Sequence, residues 1–411
     1  MSAPRIRGAC PGLSAPMPTG DGLLVRLTPK GPIDPAAFIA FCALARQHGN
    51  GVMEITARGN IQVRGLTAQS APLFAAAVKE LDIASASPVP LIMDPLPDDP
   101  DALVDAGTIG AALAAAIHRY RLRLAPKFSV AIDGGGRLHL DAIPADVRLR
   151  AVSAPDGPLL DIAFGGDARS AIPYGTVPAE GVADVAAGLL NMIANGRSAE
   201  LAGIDAVVAD FFEKRPARPT PPARPPAEPI GLHPLRDGML ALGVALAFGQ
   251  ADCEALSQLA CVARDHGARA VRPTVGRSLL LVGLTQENAE RVAAAAHQLG
   301  FITRADDPRR RIAACAGKPA CASGLLETRA LATAIAPRLP AHTGGINLHI
   351  SGCSKGCAHA APAALTVVGD ARGVGLVRNG SAAATPLRHL GPDNLVEDII
   401  RAFPPGEAGR G

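Results

Sequence analysis

The two halves of this chain repeat each other, and this duplication restricts the folds that it can adopt. The segment ALARQHGNGVMEITARGNIQVRGLT at 43–67 recurs at 260–285 as ACVARDHGARAVRPTVGRSLLLVGLT, so that Thr56 corresponds to Thr274. Each copy predicts a strand–helix–strand–strand–helix unit. The sequence therefore predicts an α+β protein built on two ferredoxin-like half-domains.

The first copy has a polar face that the second copy lacks. Alternation along the predicted strand directs Ile61 and Val63 toward the helices, and Gln62 and Arg64 toward whatever the sheet covers. The equivalent stretch of the second copy, 279–282, reads LLLV and is apolar on both faces. We expect the first copy to carry the functional surface and the second to serve as scaffold.

Each copy is predicted to continue into a larger α/β domain, and a proline-rich segment separates the two halves. RPARPTPPARPPAEP favours an extended, semi-rigid spacer. In the first α/β domain we read Gly134-Gly135-Gly136 as a turn between two strands. The predicted divisions are 15–84 and 230–300 (half-domains), 85–214 (first α/β domain), 215–229 (linker) and 301–405 (metal-binding α/β domain).

Four cysteines in the last domain predict a metal centre. Cys315 and Cys321 are followed after about thirty residues by Cys353 and Cys357, giving two short thiolate loops. Four thiolates suit a 4Fe–4S cluster, which takes one per iron. Zinc also accepts four thiolates but favours loops of two to four intervening residues, and unrelated buried thiols remain a third interpretation.

Composition excludes several functions. The 411 residues carry a net charge of +3, no Trp and two Tyr, which argues against a nucleic-acid binder. We see no signal peptide and no apolar run long enough to span a membrane, so we expect a cytoplasmic protein. Neither GxGxxG nor a P-loop occurs, which leaves no visible nicotinamide or flavin domain.

These features together resemble the nitrite/sulfite reductase superfamily over about residues 20–400. The stretches carrying the resemblance are VMEITARGNIQVRGL, LAPKFSV and the cysteine pattern. Within the superfamily, RGACPGLSAPMPTGDGLLVRL, ACAGKPACASG and GCSKGCAHAAPAALTVVG look most like the precorrin-3B synthases. The resemblance implies an oxygen-dependent monooxygenase of aerobic cobalamin biosynthesis. Such enzymes convert precorrin-3A to precorrin-3B by hydroxylating C20 and closing a γ-lactone.

The resemblance also implies cofactors and site residues. It implies a 4Fe–4S cluster, a mononuclear non-haem iron and NADH as the ultimate electron source, and leaves sirohaem open. Arg58, Arg64 and Lys127 are the expected catalytic residues, and with Arg26 and Gln62 they form the expected substrate-binding set. The cluster ligands are expected to be Cys315, Cys321, Cys353 and Cys357. His349 and His359, which flank the cysteine loops, are candidates for the mononuclear iron.

Departures from the superfamily pattern weaken a second reading, a sirohaem-dependent sulfite or nitrite reductase. Ser129 stands where sulfite reductases have a second active-site lysine, and Ser354-Lys355-Gly356 separates the last two cysteines. A third reading is a non-catalytic cluster protein, which would not need a polar strand face in one copy alone. The expected partners are precorrin-3A, dioxygen and an external electron-transfer protein, acting on a monomer.

Overall fold

The computed structural model describes residues 11–85, 87–122, 124–125, 127–194, 224–339 and 346–403. Within them lie four sheets, two belonging to the repeated units and two to larger α/β domains. The predicted α+β architecture is therefore confirmed. Parts of the predicted linker, and the ends of the two larger domains, fall outside the described residues.

The first repeat folds as the sequence predicts. Helix α1 begins at Pro35, where Asp34 caps it by accepting hydrogen bonds from the backbone N–H of Ala36 at 2.8 Å and of Ala37 at 3.3 Å. Its elements are β1 (Met17–Thr19), β2 (Gly22–Leu27), α1 (Pro35–His48), β3 (Val52–Ile55), β4 (Ile61–Leu66) and α2 (Ser70–Glu80).

The second repeat is interleaved with the first. Its elements are β10 (Gly231–Pro234), β11 (Leu240–Ala245), β12 (Gln250–Asp252), α5 (Cys253–Asp265), β13 (Ala270–Thr274), β14 (Ser278–Leu284) and α6 (Gln286–Gln298). Strand β12 pairs with β3 of the first repeat, and Ile33 exchanges backbone hydrogen bonds with Val271 at 2.9 and 2.8 Å. One hydrophobic core joins both repeats across α1 and α5.

The two larger domains share one strand order. The first contains β5 (Leu91–Met93), α3 (Ala106–Arg119), β6 (Val130–Asp133), β7 (Val147–Val152), β8 (Leu159–Phe164), β9 (Ile172–Pro178) and α4 (Val182–Ala194). The last contains β15 (Ile312–Ala314), α7 (Thr328–Ile335), β16 (Leu348–Ser351), β17 (Ala363–Asp370), β18 (Gly373–Gly380), β19 (Arg388–Leu390) and α8 (Leu395–Ala402). In each sheet the first three strands are parallel and the last two antiparallel. The duplication therefore includes these domains.

The interpretation of Gly134-Gly135-Gly136 as a turn between two adjacent strands is wrong. These glycines follow β6, but the next strand, β7, begins only at Val147 and runs parallel to β6. The intervening loop occupies the same place in this sheet as the loop of Cys353 and Cys357 does in the last domain.

The described end of the proline-rich segment is anchored and is not a free spacer. Arg224 donates to both carboxylates of a buried group, Asp133 and Asp141, reaching Asp141 Oδ1 at 2.5 Å. His139 completes the group, and its Nε2 lies 2.8 Å from the carbonyl oxygen of Pro225. The guanidinium thus supplies the positive charge among these side chains.

The inner face of the second repeat is closed by packing. Leu280 is 0% exposed and packs with Leu96 and Leu138 of the first α/β domain. The equivalent position in the first copy is Gln62, which lies on the polar face. The second copy is therefore closed by apolar packing where the first copy carries its polar row. Among the described residues, no helix combines the length and apolar character that a membrane crossing requires.

Leu280→Gln, which installs the residue of the first copy, is expected to lower the free energy of unfolding by roughly 2–4 kcal/mol, because it buries an amide without partners and removes packing. Chemical denaturation monitored by circular dichroism measures this. Leu73→Gln, at a leucine that is 61% exposed on α2, is the matched control and should change stability little. Equal effects of the two substitutions would contradict the closed interface.

Candidate active site

A row of polar side chains crosses the sheet of the first repeat. Strand register places Arg26, Gln62 and Glu54 side by side on β2, β4 and β3. Arg26 donates to Gln62 Oε1 from Nε at 2.9 Å and Nη2 at 2.7 Å, and Gln62 Nε2 donates to Glu54 Oε2 at 2.5 Å. Gln62 is therefore held in one orientation, with its amide polarised between a cation and a carboxylate.

Arg64 is held by two carboxylates on the same face. Its Nε and Nη2 each donate to Asp21 at 2.8 Å, and its Nη1 lies 3.5 Å from Glu54 Oε1. Burial opposes ionisation of Asp21, but the hydrogen bonds from Arg64 and Thr19 outweigh it and keep the pKa of Asp21 below its usual value. Arg64 is thus a fixed, preorganised cation.

The loops that carry Cys315, Cys321, Cys353 and Cys357 approach each other closely, and the region between them is called the cysteine hollow. A Cβ added at Gly352 would lie 3.1 Å from the Cα of Gly324, 3.3 Å from that of Gly317 and 3.6 Å from Cys315 Sγ. Gly352 also donates its backbone N–H to Cys315 Sγ at 3.1 Å. Burial raises the pKa of the Cys357 thiol most, and the neighbouring Cys315 and Cys353 raise it further. Glycines thus allow the close approach of the two loops.

The spacing of these thiols is wider than that of ligands around a single zinc ion. Thiolates around one zinc stand about 3.8 Å apart, given Zn–S bonds of about 2.3 Å. Among the residues that the structure describes, no three of the cysteine sulfurs lie within 4.8 Å of one another. A four-iron cube is wider than one ion and needs its ligands further apart. The donor set and the backbone N–H directed at sulfur suit such a cluster.

The hollow adjoins the polar face. The positive charge of Arg64 acts on the thiols of both Cys321 and Cys357. Gly20, next to Asp21, accepts a hydrogen bond from the backbone N–H of Ala322 at 2.9 Å. A Cβ at Gly20 would come within 2.5 Å of Cys321 Sγ. The β1–β2 turn therefore joins the polar face to the cysteine loop.

His349 and His359 lie close together, as two ligands of one metal ion would. Their ring centroids are 5.7 Å apart, and neither ring nitrogen of His349 has a hydrogen-bond partner among the residues that the structure describes. Burial first, and then the charges of His359 and Arg277, lower the pKa of His349 to about 4, so its imidazole is neutral. Neutral imidazole is the form that binds metals.

Arg58 and Lys127 are both exposed, and Arg58 contacts the first α/β domain. Arg58 is exposed and donates from Nη2 to the carbonyl oxygen of Pro144 at 2.9 Å. Lys127 is exposed two residues before Ser129, whose backbone N–H and hydroxyl both reach Asp146 Oδ2, at 2.8 and 3.1 Å. Ser129 is thus committed to Asp146, in the place where sulfite reductases have a second lysine.

Cys42 and Cys253 lie apart from the cysteine loops, in helices α1 and α5. Burial raises the pKa of Cys42 well above its usual range and that of Cys253 to about 12, so both thiols are protonated. Both lie in the core shared by the repeats.

Sequence reasoning missed three residues of the site: Asp21, Glu54 and Arg329. Alternation along β3 would have found Glu54, since it falls on the same face as Gln62. Asp21 lies 43 positions from Arg64, so no local pattern indicates their contact. The charges of Glu54, Arg64 and Cys315 act on the pKa of Arg329, which lies on α7. Its placement depends on tertiary packing, and no local pattern marks it.

Comparison with known proteins first defines the class. The model of the nitrite/sulfite reductase ferredoxin-like half domain matches residues 15–81 and 233–299, the two repeats. The structure of NirA from Mycobacterium tuberculosis superimposes with a TM-score of 0.68, covering 92% of this chain and 80% of NirA at 21% identity. The chain thus has the fold of this class, with the half domain in two copies.

Sequence comparison then gives the family. The chain is 38% identical over 407 residues to a precorrin-3B synthase from a Sinorhizobium species, covering 96% of this chain and 88% of that protein. The sulfite reductase haemoprotein β-component of Myxococcus xanthus is 33% identical over 210 residues, which is 46% of this chain and 37% of that protein. The chain therefore belongs to the precorrin-3B synthase family.

Gly20→Ala is expected to reduce cluster assembly, because the added methyl would press on Cys321 Sγ. The measurement is iron and acid-labile sulfide per chain after anaerobic purification, alongside the visible spectrum. Gly188→Ala is the control, since a Cβ there meets nothing within 4 Å in helix α4. Full iron and sulfide content in Gly20→Ala would contradict the proposed position of the centre.

Proposed function

We propose that this protein catalyses the oxygen-dependent conversion of precorrin-3A to precorrin-3B, by hydroxylation at C20 and closure of a γ-lactone. The observation that carries the proposal is the preorganised polar face of the first repeat alone, set against a four-cysteine hollow. The 38% identity to a precorrin-3B synthase across nearly the whole chain supports the same reaction.

The polar face suits a substrate with many carboxylates. Acetate and propionate arms are anionic near neutral pH, and each well-formed charged hydrogen bond contributes about 1.5–3 kcal/mol. Arg26, Arg58 and Lys127 are the proposed anchors, with Gln62 and Arg64 completing the surface. Arg64 already satisfies Asp21, so its role is to fix the shape and potential of the face as well as to meet substrate.

The four cysteines would hold a 4Fe–4S cluster, which supplies single electrons for the activation of dioxygen. His349 and His359 would contribute to a mononuclear non-haem iron, the kind of site that leaves positions open for oxygen. Around them Arg64 and Arg329 place positive charge beside the thiolates. Glu54 lies between the two cations, 3.5 Å from Arg64 Nη1 and near the charge of Arg329.

Electrons are proposed to come from NADH through a separate protein, because the chain shows no nucleotide-binding motif of its own. Cys357 and Lys355 are exposed, and so is Lys318 on the other cysteine loop. Leu325, which donates its backbone N–H to Gly352, is 51% exposed. A lysine-flanked apolar patch beside the cluster suits an acidic one-electron carrier.

A sulfite or nitrite reductase is the second candidate, favoured by the partial similarity to sulfite reductases. Ser129 argues against it, because that position is buried and bonded to Asp146 instead of presenting a cation to an inorganic anion. A reductase of that kind would purify with the intense visible bands of sirohaem and reduce sulfite, whereas the proposed enzyme would not reduce sulfite.

The proposed reaction is tested with precorrin-3A, a reductant and ¹⁸O-labelled dioxygen under otherwise anaerobic conditions. One labelled oxygen atom is expected in the product, detected by mass spectrometry, because the new hydroxyl derives from dioxygen. Labelled water with ordinary dioxygen is the converse control. A product that takes its hydroxyl from water would rule out the monooxygenase.

Arg58→Ala is expected to weaken binding of precorrin-3A at least tenfold, since it removes one charged hydrogen bond, while iron and sulfide content stay unchanged. Anaerobic fluorescence titration gives the Kd. Arg291→Ala, on the surface of α6, controls for loss of a positive charge. Arg64→Ala is a less clean test, because Asp21, with a 5% exposed side chain, would lose its ion-pair partner. Unaltered binding in Arg58→Ala would exclude it as an anchor.

A further inference from the structure

A small polar cleft lies where both repeats meet the first α/β domain, apart from the cysteine hollow. Its volume is about 40 Å³, enough for a few small atoms and far too little for a macrocycle. The polar side chains lining it come from both copies of the repeat: Thr28, Arg58 and Asn60 from the first, and Arg272 and Thr274 from the second.

Arg272 brings an incompletely paired positive charge to this cleft. Its Nη2 donates to the backbone carbonyl oxygen of Asp94 at 2.8 Å, and the ion pairs found among the described residues do not include it. Burial lowers the pKa of Arg272 to about 10, which leaves it charged at neutral pH. Two carboxyls, Asp94 and Asp105, act on the charge of Arg272. Burial, followed by the charge of Asp133, raises the pKa of Asp94 well above its usual range, so Asp94 offsets Arg272 only weakly, and Asp105 provides the other counter-charge.

Thr274 brings an unused hydroxyl to the same cleft. The residue is 2% exposed, and its Oγ1 has no hydrogen-bond partner within the described part of the chain. A buried hydroxyl without a partner costs about 1–3 kcal/mol. Such a group is retained at a cost, which is expected when a ligand completes its hydrogen bonding.

The internal repeat explains why an anion is favoured here. Arg272 corresponds to Glu54 and Thr274 to Thr56, so the second copy has a cation where the first has a carboxylate. In the adjoining domain, Gly134 donates its N–H to Asp94 after β5 at 2.8 Å, just as Gly352 donates to Cys315 after β15 at 3.1 Å. The second copy therefore keeps the contact between a strand end and a glycine N–H, but has the cation Arg272 in place of the carboxylate Glu54.

We infer that this cleft binds a single carboxylate group, held by the guanidinium groups of Arg272 and Arg58 and by the hydroxyl of Thr274. Forked guanidinium donors match the two oxygens of a carboxylate. The carboxylate can belong to one arm of a tetrapyrrole or to a free small acid. The cleft shares Arg58 with the proposed substrate surface, so the inference rests on the proposed function where the carboxylate is a tetrapyrrole arm; acetate binding tests the cleft without that reaction.

The test titrates ¹³C-labelled acetate into the full-length protein, purified anaerobically, and follows the NMR linewidth at constant ionic strength set with sodium chloride. Saturable binding is expected in the wild type. Thr274→Val should weaken it at least threefold and Arg272→Gln at least tenfold. Arg304→Gln, a surface arginine paired with Asp306, is the charge control and should bind acetate normally.

Thermal unfolding provides a readout that a merely structural role would not give. Thr274→Val removes an unpaired buried hydroxyl, so its Tm without acetate should equal or exceed that of the wild type, while its acetate-dependent rise in Tm should shrink. This variant keeps the test decisive even if Arg272→Gln folds poorly. A Tm loss in Thr274→Val with unchanged acetate binding would overturn the inference, as would acetate binding that does not saturate in the wild type.

Competition identifies the source of the carboxylate. Uroporphyrin, a stable tetrapyrrole with acetate and propionate arms on every ring, is added to the acetate complex. If uroporphyrin displaces acetate from the wild type but not from Thr274→Val, the cleft binds a tetrapyrrole arm. Simultaneous binding of both means that it takes a separate small acid, and either result supports a carboxylate site.

Discussion

The shared core of the two repeats is the constraint on which the rest of the structure depends. Helices α1 and α5 bury one set of apolar side chains between them, and each repeat lends backbone hydrogen bonds to the sheet of the other. Neither unit can be moved without the other. Because the two sheets are fixed in this way, the face of the first is held against the cysteine domain and that of the second against the first α/β domain.

The two larger domains share one local contact, between the end of a strand and a glycine N–H. A strand end and a glycine N–H meet in both larger domains, at Cys315 and Gly352 in one and at Asp94 and Gly134 in the other. In the last domain the acceptor is sulfur, in a hollow open enough for a cofactor. In the first it is a carboxylate, and the neighbouring space is filled by Leu280 and its partners. Duplication supplied the geometry twice, and the side chains decide which copy is used.

The sequence was most informative where a signal is local or periodic. The capped helix at Asp34, the alternation of Ile61 to Arg64 and the cysteine spacing each depend on a few neighbouring residues. The sequence could not show that Arg64 is clamped by Asp21, since that contact spans 43 positions. The glycine run after β6 misled because glycine favours many turns, and only the parallel pairing with β7 decides among them. The placement of Arg329 likewise required the packed structure.

The turn at Gly20 and Asp21 has a consequence for how binding and electron transfer affect each other. One end of this dipeptide contacts the cysteine loop and the other binds Arg64, so a single turn joins the two regions. A polyanion seated on the first sheet would make the addition of an electron nearby less favourable. By thermodynamic reciprocity, the reduced protein would hold that polyanion less tightly, and release of product would be favoured once the electron has arrived.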